Sequence, residues 1–375
     1  MGRICIVGGG YAGLRVARSL RGRLDEQWDI LLVDRSDCHQ LISRLPEIVA
    51  GRVDPDKASV PFERVIGGQT RHLAADVHRV DLGSLTCRTS RGPLESDWLV
   101  VAAGSSADFL GVPGAEAFTF TLKSVGDAVS IRERLADLRS SQAEVQVVIV
   151  GAGYTGTELA GELSALPPVT ESEKQLGRVN VKLVAADDRL LPQGNERMSR
   201  QIDRALRSRG IPIFLGVGVA RADPRRVVLK DGTAFSADLI VWAAQSRGAA
   251  SALAPQARQS ADGRLAVDPY MRVEGHDRSF ACGDAAFVYD YVKGMSAPSS
   301  AQVAVQEGEA VAMNLAAAIR GRSMREFRPH VLGEVISLGG HDGVAEVGGV
   351  LLTGRAAAAA KQAALLRYLA GLSLL

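Results

Sequence analysis

The sequence predicts an α/β protein of two doubly wound parallel-sheet domains, the second inserted in the first, followed by a C-terminal segment with a helix. Three observations predict it. A β-branched run enters a glycine turn at Val147-Val-Ile-Val-Gly151-Ala-Gly153-Tyr-Thr-Gly156, and a helical pattern, Thr157-Glu158-Leu-Ala-Gly-Glu162-Leu163, leaves it. The chain opens in the same way, with Ile4-Cys-Ile-Val-Gly8-Gly-Gly10-Tyr-Ala-Gly13. Each turn is followed much later by an apolar strand ending in small residues, Asp97-Trp-Leu-Val-Val-Ala-Ala103-Gly104 and Asp238-Leu-Ile-Val-Trp-Ala-Ala244. A strand, a G-x-G-x-x-G turn and a helix N-terminus make a pyrophosphate cradle. The first glycine permits the turn, the second lets backbone approach the phosphates, and the third lets helix pack on strand. Two such Rossmann-like cradles in one chain predict two dinucleotides brought face to face.

Composition bounds the rest. The 375 residues suffice for two or three domains, and 46% hydrophobic, 23% charged and 40 glycines suit a soluble, turn-rich α/β protein. Lys+Arg 44 against Asp+Glu 42 leaves a net charge of +2, so no nucleic-acid partner is expected. Cys5, Cys38, Cys87 and Cys282 are scattered without a CxxC pair, which supports neither a metal site nor a redox-active disulfide. That usage fits a reducing, cytoplasmic setting. The N-terminus runs straight into a strand, so no signal peptide is expected, and no apolar run approaches the ~20 residues of a membrane span.

In chain order, Arg3 to Val7 reads as a buried strand, and the helix after the glycine turn runs to about Leu20. Asp29-Ile-Leu-Leu-Val33 is the next strand, and Asp34 at its end suits a hydrogen bond to a ribose hydroxyl. Short alternating segments follow around Ala75 to Asp81 and Leu85 to Thr89. Pro113-Gly114 marks a boundary, and a charged amphipathic helix is expected between Thr121 and Leu138. Pro167-Pro168 and the polar stretch Thr170 to Gly177 read as a surface insertion. Val179 to Val184 reads as a strand, Ser199 to Arg209 as a helix, and Arg226 to Leu229 with Asp231-Gly232 as a hairpin. The expected division is 1–112 and 237–325 for the first domain, 113–236 for the second and 326–375 for the C-terminal region.

Beyond the duplicated part, Ser279-Phe-Ala-Cys-Gly283-Asp284 places a carboxylate after a short strand where glycine permits close approach. Pro298-Ser-Ser-Ala301-Gln302-Val-Ala-Val-Gln306 opens a helix, with Gln302 and Gln306 at i and i+4 on one face. Paired amides among alanine and valine suggest a ligand contact. Glu158 sits near a helix N-terminus that should attract phosphates, four residues before Glu162, an unfavourable like-charge spacing for a purely structural residue. Leu365, Leu366, Leu369 and Leu372 make a stripe on the last helix, with Arg355, Lys361 and Arg367 interspersed. That helix is expected to pack on its own domain or a partner subunit, or to lie on an anionic membrane surface.

Taken together, these motifs resemble the two-dinucleotide flavoprotein disulfide reductase superfamily, and within it the type II NADH:quinone oxidoreductases. The resemblance runs through Gly8 to Gly13, Ala102-Ala-Gly104-Ser, Gly151 to Leu163, Ala281-Cys-Gly-Asp284-Ala and Ala301 to Gln306. It implies that FAD is held by Gly8, Gly10, Ala12, Gly13 and Asp34, with Arg35, Arg44, Val77, Ala103 and Gly104 contributing. It puts Asp284 at the ribityl chain and Ala301-Gln302 near the isoalloxazine. NADH or NADPH would be held by Gly151, Gly153, Tyr154, Thr155 and Gly156, with Ala244 and Gln245 completing that site. Gln302 and Gln306 match the paired glutamines of a quinone site, and Glu158 a carboxylate between nicotinamide and flavin.

The implied activity is hydride transfer from NAD(P)H to FAD, and passage of two electrons to a quinone or quinone-like acceptor. A soluble reductase of a ferredoxin-like partner or biosynthetic quinonoid is the alternative, and a non-catalytic redox sensor a third. Ala185 stands where an NADH-selective site would carry an acid, which leaves NADH against NADPH open. Gln245 replaces a family glycine, and the chain stops before the longer C-terminal docking region of many members. A peripheral position on the inner face of the cell membrane and a homodimer both stay open. Cys38 and Cys87 lie in the wrong segments for a sulfide:quinone reductase.

Overall fold

Ile4, Cys5, Ile6 and Val7 are buried without alternation, as in a strand paired on both edges and covered on both faces. In the computed structural model, which describes residues 2–68, 70–166, 176–291 and 294–374, that strand is the centre of the first of two units. The first unit comprises Met1–Gln40, Ser59–Ser106 and Ser246–Val331. Its sheet runs Ser279–Ala281, Trp98–Val101, Gly2–Val7, Trp28–Asp34, Thr70–Ala74, all parallel. The helix Tyr11–Arg21 leaves the glycine turn, and the helix Ala301–Ile319 packs on it. Gly308 makes that crossing close, since a Cβ there would stand 2.4 Å from the Ala12 carbonyl oxygen. Glu309 on the same helix binds Arg15 at 2.7 Å, Arg23 at 2.5 Å and the Ser19 hydroxyl at 2.6 Å. The alternating segments form an antiparallel meander, Val77–Asp81, Thr86–Thr89 and Gly92–Glu95.

The second unit comprises Leu41–Ala58, Ala107–Gln245 and Leu332–Leu375. Its sheet has the same plan: Phe120–Thr121, Leu239–Trp242, Glu144–Val150, Arg178–Val184, Ile213–Phe214, again all parallel. A second meander, Val219–Asp223, Arg226–Leu229 and Ala234–Ser236, contains the expected hairpin and a third strand. The helix expected from Thr121 spans Val125–Ser141, because Ser124 caps it by accepting the Asp127 N–H at 3.1 Å. The helix expected from Ser199 begins three residues earlier, Glu196–Ser208, where Asn195 accepts from Arg197 N–H at 2.8 Å and Met198 N–H at 3.3 Å. Most of the polar stretch Thr170 to Gly177, and the two prolines before it, lie outside the described residues.

Of the C-terminal region expected at 326–375, residues 332–375 cluster with this second unit, as do residues 41–58, and residues 326–331 with the first. Three antiparallel strands, Gly333–Ser337, Gly343–Val347 and Val350–Thr353, carry the helix Arg355–Gly371. The leucine stripe is split. Leu365 and Leu369 pack against the unit's core with Tyr368, whereas Leu366 points outward and is 50% exposed. Among the described residues no helix is long and apolar enough to cross a membrane.

Candidate dinucleotide and redox site

The two glycine turns have one geometry. Gly8 has φ +103° and Gly151 φ +117°, a region open to glycine but strained for other residues. A Cβ on Gly8 would lie 2.3 Å from the Ala102 carbonyl oxygen, and one on Gly151 would lie 2.4 Å from that of Ala243. A Cβ on Gly13 would meet Gly8 O at 1.9 Å, and one on Gly156 would meet Gly151 O at 2.0 Å. Gly10 and Gly153 differ: a Cβ there meets nothing within 4 Å. Each is also the N-cap of its helix and supplies no side-chain cap. The first-turn N–H groups are therefore offered to an anion across an open space, and a dinucleotide pyrophosphate fits both cradles.

In the first unit Asp34 is fixed at the strand end. Its Oδ2 accepts the Gly9 N–H at 2.7 Å and its Oδ1 the Ser36 N–H at 2.8 Å. His39, buried, pairs Nδ1 with the Gly9 carbonyl oxygen at 3.0 Å and meets the Tyr11 ring edge-on. Burial pulls its imidazole down to about 4, so the ring is neutral and its Nδ1–H can donate. Nothing local in the sequence marks His39 as part of the turn. Ala12 is buried, Ala103, Gly104 and Val77 are half-buried, and Arg35 is exposed with Asp76 at 3.5 Å.

Asp284 receives the Ser105 hydroxyl at 3.0 Å, and Gly283 before it has φ +66°. Beneath them lies Glu307, buried, whose Oε2 accepts the Gly283 N–H at 2.5 Å. Burial pushes the Glu307 carboxyl up to about 8, the Gly283 N–H opposing and the Asp284 charge adding to the rise. The two glutamines have different partners, although the Gln306 amide also donates to the Gln302 carbonyl oxygen at 3.3 Å. Gln306 spends its amide on the backbone of His330, donating to its oxygen at 2.7 Å and accepting its N–H at 2.9 Å. Gln302 is half-buried beside Ala301 in the first turn, which Ser300 caps by accepting the Val303 N–H at 3.3 Å.

In the second unit Tyr154 is exposed and bonds the Glu334 carboxylate, Thr155 is half-buried, and Gln245 is exposed after half-buried Ala244. Its main-chain oxygen accepts the Asp108 N–H at 2.9 Å, and the Asp108 oxygen accepts Trp242 Nε1–H at 2.8 Å. Arg44, expected with the FAD set, falls in this unit and pairs with Glu47 at 3.2 Å.

Glu158 stands in a buried charge cluster that the sequence did not announce. Its Oε1 accepts the Ser337 N–H and the Lys361 ammonium, both at 2.8 Å. Lys361 reaches Glu47 at 3.3 Å as well. Glu162, 1% exposed, takes Arg52 Nε–H at 2.6 Å and the Ser337 hydroxyl at 2.7 Å. Three carboxylates thus meet Arg44, Arg52 and Lys361. Burial holds the Glu158 carboxyl above the ordinary range although Lys361 and the Ser337 N–H pull the other way. Burial pulls Lys361 down, but the charges of Glu158 and Glu47 outweigh it and keep the ammonium protonated. The Cys5 and Cys87 sulfurs stand 3.9 Å apart in the first unit, both buried, and Cys282 is buried as well.

Known proteins carry the same plan. The type II NADH:quinone oxidoreductase of Staphylococcus saprophyticus is 27% identical over 96% of this chain and 93% of its own length. That of Staphylococcus aureus is 28% identical over the same shares. The structure of NDH2 from Plasmodium falciparum in complex with NADH superposes with a TM-score of 0.85 at 16% identity, covering 98% of this chain and 94% of that one. Residues 2–308 match the pyridine nucleotide-disulphide oxidoreductase family. The chain is an oxidoreductase and belongs to that family, with type II NADH:quinone oxidoreductases among its relatives.

Proposed function

We propose that the protein is an FAD-dependent NADH dehydrogenase that delivers two electrons to a quinone or quinone-like acceptor. The observation that carries the reading is the pair of equivalent glycine turns, each closed beneath by carbonyl oxygens within 2.4 Å of a built Cβ and open above Gly10 or Gly153. Gly8, Gly10, Gly13, Asp34 and Asp284 would hold FAD, and Gly151, Gly153 and Gly156 the nicotinamide nucleotide. FAD bound there supplies a two-electron carrier for the hydride of NADH.

The chain's own groups then have distinct tasks. The first-turn N–H groups of Tyr11–Arg21 and Tyr154–Ser164 bind and orient pyrophosphates. Asp34, held by Gly9 and Ser36, presents a fixed acceptor to a ribose hydroxyl. Glu158 holds a carboxyl whose proton affinity is raised by burial, with Lys361 beside it to stabilise the carboxylate once the proton leaves. Gln302 offers its amide to the acceptor, while Gln306 fixes the segment at His330. Attachment to a membrane surface and a peripheral location belong to the same proposal, supported by the naming of the relatives as quinone reductases.

Stopped-flow mixing tests it. NADH should bleach the flavin, and ubiquinone or menaquinone analogues should restore its colour rapidly, faster than an iron–sulfur protein does. Slow reoxidation by every quinone would overturn the acceptor assignment.

A further inference from the structure

The chain carries two copies of one cradle, so each is a reference for the other. In the first unit Val7 pairs with Val33, and Gly8 N–H donates to Val33 O at 2.8 Å. In the second Val150 pairs with Val184, and Gly151 N–H donates to Val184 O at 2.8 Å. The register makes Ala185 the counterpart of Asp34. Where the first cradle fixes a carboxylate against the Gly9 N–H, the second has a buried methyl group and then a second alanine, Ala186.

What lies near Ala186 is a cation. A Cβ on Gly218 would be 3.5 Å from both Ala186 Cβ and Lys230 Cε, and the Lys230 N–H donates to Gly218 O at 2.9 Å. The lysine stem and Ala186 therefore converge on a glycine that puts no side chain between them. The loop is held in place, since Gly216 N–H donates to Asp187 O at 2.7 Å and Val217 N–H to Ala185 O at 3.2 Å. Lys230, Asp187 and Asp188 are exposed.

A carboxylate at the strand end accepts from a ribose 2′-hydroxyl and repels a 2′-phosphate. Its replacement by methyl groups removes both effects, and an adjacent ammonium attracts the phosphate. We infer that the second cradle accepts NADPH as well as NADH, with Lys230 the group that meets the 2′-phosphate. This rests on the second cradle being a nicotinamide-nucleotide site. The competing occupant of the space is Asp187 or Asp188, bent back to take the ribose hydroxyls of NADH.

Calorimetric titration of the FAD-loaded protein with adenosine 2′,5′-bisphosphate and with 5′-AMP decides between them. The bisphosphate should bind at least as tightly as 5′-AMP. Lys230→Ala should weaken the bisphosphate about tenfold, the loss of one charge-assisted contact, and leave 5′-AMP within about twofold. Lys230→Arg should restore it. In steady-state assays kcat/KM for NADPH should lie within about tenfold of that for NADH, and Lys230→Ala should lower the NADPH value alone. A preference of a hundredfold or more for 5′-AMP, or equal weakening of both ligands by Lys230→Ala, would overturn the inference. If the bisphosphate behaves as expected but neither nucleotide reduces the flavin, the dehydrogenase reading falls and the phosphate site stands.

Discussion

At the residue scale the clearest consequence concerns Glu307. Its carboxyl is buried under the Gly283-Asp284 turn and pushed up to about 8 from the 4.5 of an unfolded glutamate, chiefly by burial. A folded-state value above the unfolded one means stability that is fully present below pH 4.5 and lost as pH rises through about 8. Glu307→Gln keeps an amide oxygen for the Gly283 N–H and removes the ionisation. Thermal unfolding should therefore find the variant level with wild type near the lower limit and more stable above the upper one, by on the order of 5 kcal/mol. A difference that stays flat with pH would show that Glu307 ionises as an exposed carboxyl does. The sequence pattern singled out Gln302 and Gln306 on this helix and passed over Glu307 beside them. Only the fold reveals which of these three side chains faces the Gly283 N–H.

At the element scale the glycine turns were legible because their chemistry is local. Each G-x-G-x-x-G assigns a role by position, and the built Cβ distances reproduce that division of labour. Gly156 is closed off by Gly151 O at 2.0 Å, whereas Gly153 meets nothing within 4 Å. Gly156→Ala should thus force the helix off its strand and destabilise the protein by roughly 1–3 kcal/mol, seen as a lower melting temperature. Gly153→Ala should leave the melting temperature near that of wild type and raise KM for NADH, because its methyl group occupies space that only the pyrophosphate needs. Equal melting temperatures for the two variants would contradict the geometry. Helix starts were less legible: Ser124 and Asn195 are caps whose bonds to Asp127, Arg197 and Met198 set the first turn. Hydrophobic periodicity alone placed those starts three or four residues away.

At the scale of the whole molecule, the parallel sheets and their duplication were readable from the apolar runs, but membership of the second unit was not. Residues 41–58 contribute Glu47 and Arg52 to it, and the C-terminal strands and helix contribute Ser337 and Lys361. These partners are separated from Glu158 by more than a hundred residues on either side, and no local pattern links them. The sequence showed Lys361 only as one of three cations interspersed with the leucine stripe of the last helix, yet it is the ammonium between two buried carboxylates. Breaking a buried ion pair by removing one partner leaves a charge without compensation, so Lys361→Met should destabilise the protein by about 3–5 kcal/mol. The deficit should shrink as pH falls, because Glu158, already held above the carboxylate range by burial, can take up a proton. Adding Glu158→Gln to Lys361→Met should recover part of the loss, giving a coupling energy of roughly 1–3 kcal/mol in a double-mutant cycle read from denaturant unfolding. Strict additivity of the two changes would mean that the contact at 2.8 Å contributes nothing to folding, and that Lys361 is held there by the packing of its helix alone.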